Sequence, residues 1–382
     1  MKLTEKEVDY EKIQSLTIDW IRFPMALFVI YIHENPIITK LDLINLKLDS
    51  VFFNNLFSII FCKLIGQICV PCFLFFSGYL FFSKIYNFNK IIYFSKLKSR
   101  FKTLIIPYLL FNILYIAIVL ILSIDSNIDF NNYILELTKN WHKVFWNFNT
   151  WGTTYNIFNE PVIRSGPYLT PLWFLRDLII LIIISPIIYI ITKYLNKYFV
   201  VILLILYLFK IFINLEPFIY RSFIVSLFFF TFGSYLAINK KNIIIEFRRY
   251  KYLFLFIFLV SLISSIFYYN DTKYHYLLPL FIISGIITIV NYVSLGFQKK
   301  ILNLNPILSK SSFFIYCIHP ILFLSYSMKI TKILFLLILD SNNAVLATFL
   351  ISPILCCSII YFIYKLMLLK TPKILYLLTG NR

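Results

Sequence analysis

Apolar residues in this chain recur in stretches of about 16–25, separated by short polar linkers, and that pattern leaves few folds open. About 20 apolar residues in a helix cross the roughly 30 Å of a bilayer's hydrocarbon. Ten such stretches are predicted: 18–33, 64–82, 104–123, 172–191, 198–213, 223–238, 252–268, 276–295, 313–327 and 345–369. The chain is 60% hydrophobic with a mean hydropathy of +0.82, against about 45–50% apolar in a soluble domain. The expectation is an all-α polytopic membrane protein of about ten transmembrane helices. It forms a single domain over 1–382, with an N-terminal segment 1–17 and one long loop, 124–171.

A formal charge of +19 would suit nucleic acid, but its location points elsewhere. With ten spans, 23 of the 36 Lys and Arg fall on the side of the two termini and 10 on the other; Arg22, Arg176 and Lys210, inside or bordering the apolar stretches, are left out. Short cytoplasmic loops carry such an excess. Both termini are therefore expected in the cytoplasm, in a multi-pass protein of the inner membrane, with 124–171 outside. No nucleic-acid partner is expected. The N-terminus mixes Lys2, Lys6 and Lys12 with acids and lacks a small-residue cleavage site, so 18–33 reads as a retained span. All six cysteines sit in apolar stretches, and Cys69-Val-Pro-Cys72 reads as small apolar side chains in mid-span. No internal repeat is visible.

Against this apolar background the ionisable residues stand out, because such groups in a membrane are costly and mark functional pathways. Arg22 and His33 lie in the first stretch with ten residues between them. Eleven helical steps return to within about 20° of one face and span about 16 Å. Both can line one wall; equally, Arg22 suits a headgroup anchor and His33 a water-facing end. His319 lies inside the ninth stretch and needs a partner or a cavity. Arg176 and Asp177 open the fourth stretch just after Trp173, and suit either pairing or anchoring. The linker 83–103 has six basic residues and no acid. Topology explains most of that charge; Lys96, Lys98, Arg100 and Lys102 also suit contact with the phosphates of a cytoplasmic anion. In the loop 124–171, aromatics accompany His142, Glu160 and Arg164, a composition that suits sugar stacking or a membrane-interface belt.

Several blocks occur in a telling order. They are Arg22-x10-His33, FLFFSGYLFF at 73–82, Arg100-x6-Pro107-Tyr108, PLWFLRDL at 171–178 and IYCIHP at 315–320. Together they resemble the acyltransferase-3 family of integral membrane acyltransferases, over nearly the whole chain. The chain ends at Arg382, and so resembles the stand-alone form without a C-terminal hydrolase-like domain. The resemblance implies transfer of an acyl group, usually acetyl, from cytoplasmic acyl-coenzyme A to a hydroxyl of a surface glycan or lipid-linked sugar. The donor is a substrate; no bound cofactor and no metal are expected, and membrane lipid is the surrounding partner.

The chemistry fits those residues. A thioester is already activated, and the acceptor hydroxyl needs a base as it attacks, which a neutral imidazole supplies. His33 is the expected base, or alternatively a nucleophile that carries the acyl group. Arg22, with Asp19 one turn before it, suits the donor's phosphates or amides, with Lys98 and Arg100 as further donor-binding candidates. Glu34 points about 100° away from His33 on a continued helix. Trp173, Arg176, His319 and Glu160 are expected in the acceptor site or in its framework. The rival function is a transporter or flippase for glycan intermediates, since basic and aromatic linings serve both. A glycosyltransferase is disfavoured by the lack of a DxD-like cluster.

Overall fold

The computed structural model describes residues 5–34, 48–124, 138–139, 141–145, 153–155, 161–163, 166–209, 221–269, 271 and 273–380. These are helical apart from short turns and one antiparallel ribbon, β1 (Thr153–Tyr155) with β2 (Pro161–Ile163), Thr154 facing Val162. In chain order the helices begin with α1 (Glu5–Glu34), α2 (Ser50–Ser58), α3 (Gly66–Phe82), α4 (Lys90–Arg100), α5 (Ile106–Ile124), α6 (Trp141–Phe145), α7 (Trp173–Ile183), α8 (Ser185–Leu195) and α9 (Lys197–Leu208). They continue with α10 (Arg221–Ile238), α11 (Ile243–Arg248), α12 (Lys251–Phe267), α13 (Tyr274–Gln298), α14 (Pro306–Ile318), α15 (Leu324–Leu336), α16 (Ser341–Lys370) and α17 (Pro372–Thr379). Wider π-helical turns join α2 to α3, α4 to α5 and α14 to α15.

Among the described residues, six continuous helices are long and apolar enough to cross a membrane: Asp9–Glu34, Ser50–Phe82, Lys90–Ile121, Tyr274–Gln298, Pro306–Leu336 and Ser341–Lys370. A bent pair, Thr170–Ile183 with Ser185–Leu195, makes a seventh, and Lys197–Leu208, Phe223–Ile238 and Lys251–Phe267 are shorter apolar helices. Each expected stretch overlaps one of these helices, although 210–213 of the fifth lie outside the described residues.

Two of the expected spans are broken. The fourth bends by 65° between α7 and α8, where Pro186 lacks the N–H that would hold the carbonyl of Ile182. The ninth leaves helical geometry after Pro320, with ψ 77° at Ile321 and φ +67° at Leu322. The expected linker 83–103 is also partly helical, because α4 runs without a gap into α5.

On α12 the side-chain pattern is the reverse of that on a helix of a water-soluble bundle. Along α12, Leu253, Phe256, Val260, Ile263 and Phe267 step at spacings of three and four and are exposed, while Ser261 and Ser265 are buried. A stripe of large apolar residues facing outward opposes the hydrophobic effect in water. It suits hydrocarbon, where small polar residues pack between helices. The chain is a multi-pass membrane protein.

The described helices form two compact units, residues 1–84 with 229–362 and residues 85–228 with 363–382. In the first, α1 packs along α14, α3 and α13. It runs unbroken through Pro24. Near its start, the Gln14 amide donates to the Tyr79 hydroxyl at 3.1 Å and accepts from the Ile243 N–H at 2.8 Å, while Tyr79 donates to the Lys241 carbonyl at 3.3 Å. One side chain thus fastens α1, α3 and the start of α11. Further along, Ser309 of α14 donates to the Asp19 carbonyl at 2.7 Å. Helices α3 and α10 meet backbone to backbone: a Cβ at Gly78 would collide with the Phe230 carbonyl, and one at Gly233 with that of Phe75. Only glycine permits that approach.

In the second unit, Asn112 of α5 donates to the Tyr108 carbonyl at 2.8 Å and accepts from the Leu169 N–H at 3.1 Å, which pins the chain just before α7. Arg176 and Asp177 are both buried. The guanidinium reaches one carboxylate oxygen at 2.8 and 3.0 Å, and Ser226 of α10 donates to the other at 2.8 Å. Of pairing and anchoring, the structure shows pairing. Removing one partner of a buried pair strands the other charge. Asp177→Ala is expected to destabilise the folded protein by about 3–5 kcal/mol, and Asp177→Asn by less because the Ser226 contact has an acceptor to keep. Thermal unfolding of both variants in detergent checks that order.

Candidate active site

The site begins with a missing hydrogen bond. In an unbroken helix the Tyr316 carbonyl would accept from the N–H of residue 320, and that residue is proline. A buried carbonyl without a donor is costly, the more so in hydrocarbon. The imidazole of His319 fills the gap: its Nδ1 lies 2.8 Å from the Tyr316 carbonyl and 3.3 Å from that of Ile315. Carbonyl oxygens only accept, so Nδ1 carries the hydrogen and Nε2 presents a bare lone pair. His319 is fully buried, and its Nε2 has no partner among the described residues. The spacing Tyr316-x-x-His319-Pro320 thus has a physical reading: proline opens the helix, histidine repairs the opening, and the repair fixes the tautomer.

His33, at the last turn of α1, stands beside this ring. The two imidazole centroids are 5.1 Å apart with planes tilted by 42°. His33 is half-buried, whereas His319 is sealed. The structure therefore brings together two residues 286 positions apart in the chain, at the end of one helix and the break of another. Neighbouring contacts hold α1 in place. Glu34, next in sequence, turns away as expected and accepts a hydrogen bond from Ser352 of α16 at 2.6 Å. Tyr31 donates to the Leu350 carbonyl at 2.9 Å, and the Cys62 thiol donates to the Tyr31 carbonyl at 3.0 Å. Phe28, Tyr31, Phe61 and Phe349 pack edge-on and stacked around that end of α1.

Arg22 lies eleven residues before His33 on the same continuous helix, a rise of about 16 Å. Its guanidinium pairs with Asp19 at 2.8 Å, as the three-residue spacing predicts, and both side chains are about a third exposed, 38% and 34%. The pair fixes one edge of the guanidinium fork and leaves it accessible. Trp173, half-buried, opens α7, and Arg176 is tied to Asp177; both belong to the second unit, as do Lys98 and Arg100 of α4. Glu160 lies outside the described residues.

Sequence spacing did not reveal Ser352, Gln14 or Ser226. Each is a common residue in an apolar or mixed stretch, and its partner lies on a different helix.

The comparisons bear on this geometry. The model of a family described as an acyltransferase domain, acyltransferase-3, matches residues 16–364, a range that includes Arg22, His33, Arg176 and His319. No curated protein and no solved structure matches the chain. With the family model covering nearly the whole chain, and with the imidazole pair and apolar helices in place, the protein belongs to the acyltransferase-3 family of membrane acyltransferases.

Proposed function

We propose that this acyltransferase moves an acyl group, in the first instance acetyl, from the matching acyl-coenzyme A to a hydroxyl of a surface glycan or lipid-linked sugar, with His33 as the base. The observation that carries the reading is the paired imidazoles, one partly accessible and one sealed with a bare Nε2. In the reaction, the acceptor hydroxyl gives its proton to His33 as its oxygen attacks the thioester carbonyl. The carbon–sulfur bond then breaks, and the thiolate leaving group takes the proton from His33. His319 cannot donate from Nε2. It accepts, which suits a role in orienting His33 and holding the charge of its protonated form. Arg22 offers its remaining N–H groups to a phosphate or carbonyl of the donor.

His33→Ala is expected to lower turnover by about 10²–10⁴-fold, the range for a lost general base, without loss of membrane insertion. Cells carrying it would export unmodified glycan, read by the missing acyl mass. Accumulation of glycan inside the cell would instead indicate a transporter, and near-normal turnover would remove His33 from the chemistry.

The fixed tautomer has its own readout. In protein with ¹⁵N-labelled histidine, the His319 signals should show Nδ1 protonated and Nε2 bare. Pro320→Ala returns a backbone N–H to the Tyr316 carbonyl and should mix the tautomers while lowering the rate. A wild-type spectrum with Nε2 protonated would contradict the assignment.

The arrangement is also vectorial. With the ten spans and cytoplasmic termini expected from the charge distribution, the donor is taken from the cytoplasm and the acceptor from outside, coenzyme A being kept in the cytoplasm by its size and charge. Supplied to one face of sealed, oriented vesicles at a time, acyl-coenzyme A should support transfer from the cytoplasmic face only. Equal activity from the outer face would reverse the scheme.

A further inference from the structure

The second unit contains an apolar groove of about 480 Å³ between the α4–α5 junction and the end of α7. Phe94, Leu97, Phe101 and Leu104 form one wall at helical spacings of three and four, and Ile179, Ile182 and Ile183 form the other. Two features fix its shape. The Tyr93 hydroxyl donates to the Ile183 carbonyl at 2.9 Å. That carbonyl is left over at the bend, because the N–H of Ile187 turns to Ile184 instead. The π-helical turn Phe101–Ile105 carries α4 directly into α5.

The rim is basic. Lys98 and Lys102, four residues apart, both line the groove and are exposed. The stretch 83–103 around them contains six basic residues and no acid. Lys90–Ile121 runs for 32 residues, about 48 Å, well beyond the roughly 30 Å of hydrocarbon. The excess is α4, whose exposed Ile91 and Phe94 alternate with exposed Lys90 and Lys98. A helix with that composition at the end of a span sits at the headgroup level, and basic pockets between helices there recognise anionic headgroups.

We propose that this groove binds an anionic phospholipid, with an acyl tail against Leu97 and Ile182 and the phosphate against Lys98 and Lys102. The occupant follows from charge complementarity. A neutral lipid would fill the apolar walls but leave the two ammonium groups unanswered, and a soluble phosphate would leave the walls empty. The groove is built from residues of the second unit alone, and the proposal does not rest on the acyl transfer described above.

The test is native mass spectrometry of the full-length protein, titrated with dioleoylphosphatidylglycerol or dioleoylphosphatidylcholine. The wild type should retain the anionic lipid preferentially. Lys98→Glu with Lys102→Glu should reduce that preference about tenfold or more, since each basic residue near a membrane surface contributes about a factor of five. The double variant Lys193→Glu with Lys197→Glu carries the same charge change on residues that do not line the groove, and should behave as wild type. Equal retention of the two lipids by wild-type protein, or equal loss in both double variants, would overturn the proposal. So would stoichiometric displacement of the anionic lipid by acetyl-coenzyme A, which would make the groove a donor site instead.

Discussion

The requirement that every backbone polar group find a partner away from water shapes this molecule more than any other constraint. In hydrocarbon a stranded carbonyl costs several kcal/mol, so the described apolar stretches are helical. The informative places are those where proline forbids the regular pattern. At the α7–α8 bend, a tyrosine hydroxyl from α4 reaches the leftover Ile183 carbonyl. At the α14–α15 break, His319 covers the Tyr316 carbonyl with its own Nδ1–H. Each repair has a consequence beyond saving the hydrogen bond. The first anchors a basic amphipathic helix against α7; the second leaves an imidazole in a single tautomer beside His33.

This links the family's sequence blocks to physics. A histidine next to a proline in a span would ordinarily be two liabilities, a polar side chain and a broken helix. Here one offsets the other, and the buried Nε2 is left without a partner among the described residues. The first span shows a comparable economy. Arg22 and His33 occupy one continuous helix, with Asp19 holding the former and the Glu34–Ser352 contact fixing the turn that carries the latter.

Short polar side chains recur among the buried contacts of both units, beside a core of Phe, Ile and Leu. Ser226 on Asp177, Ser352 on Glu34 and Ser309 on the Asp19 carbonyl each join helices far apart in sequence. The Gly78 and Gly233 crossing adds close backbone packing, which replaces the hydrophobic drive that lipid cancels.

By itself the sequence determined the class of fold, because twenty apolar residues in a row have few stable forms other than a membrane helix. It determined the family through five short blocks, and the Asp19–Arg22 pair through helical spacing. Each expected span overlaps a helix among the described residues, but the bend of the fourth and the break of the ninth were not legible, since a proline announces a lost hydrogen bond without saying what replaces it. Only the tertiary structure decided that His319 lies against His33, that Arg176 pairs with Asp177, and that Glu34 turns to Ser352. Those partners lie on other helices or depend on side-chain rotation, and a composition so uniformly apolar carries no periodicity that would pair one helix with another.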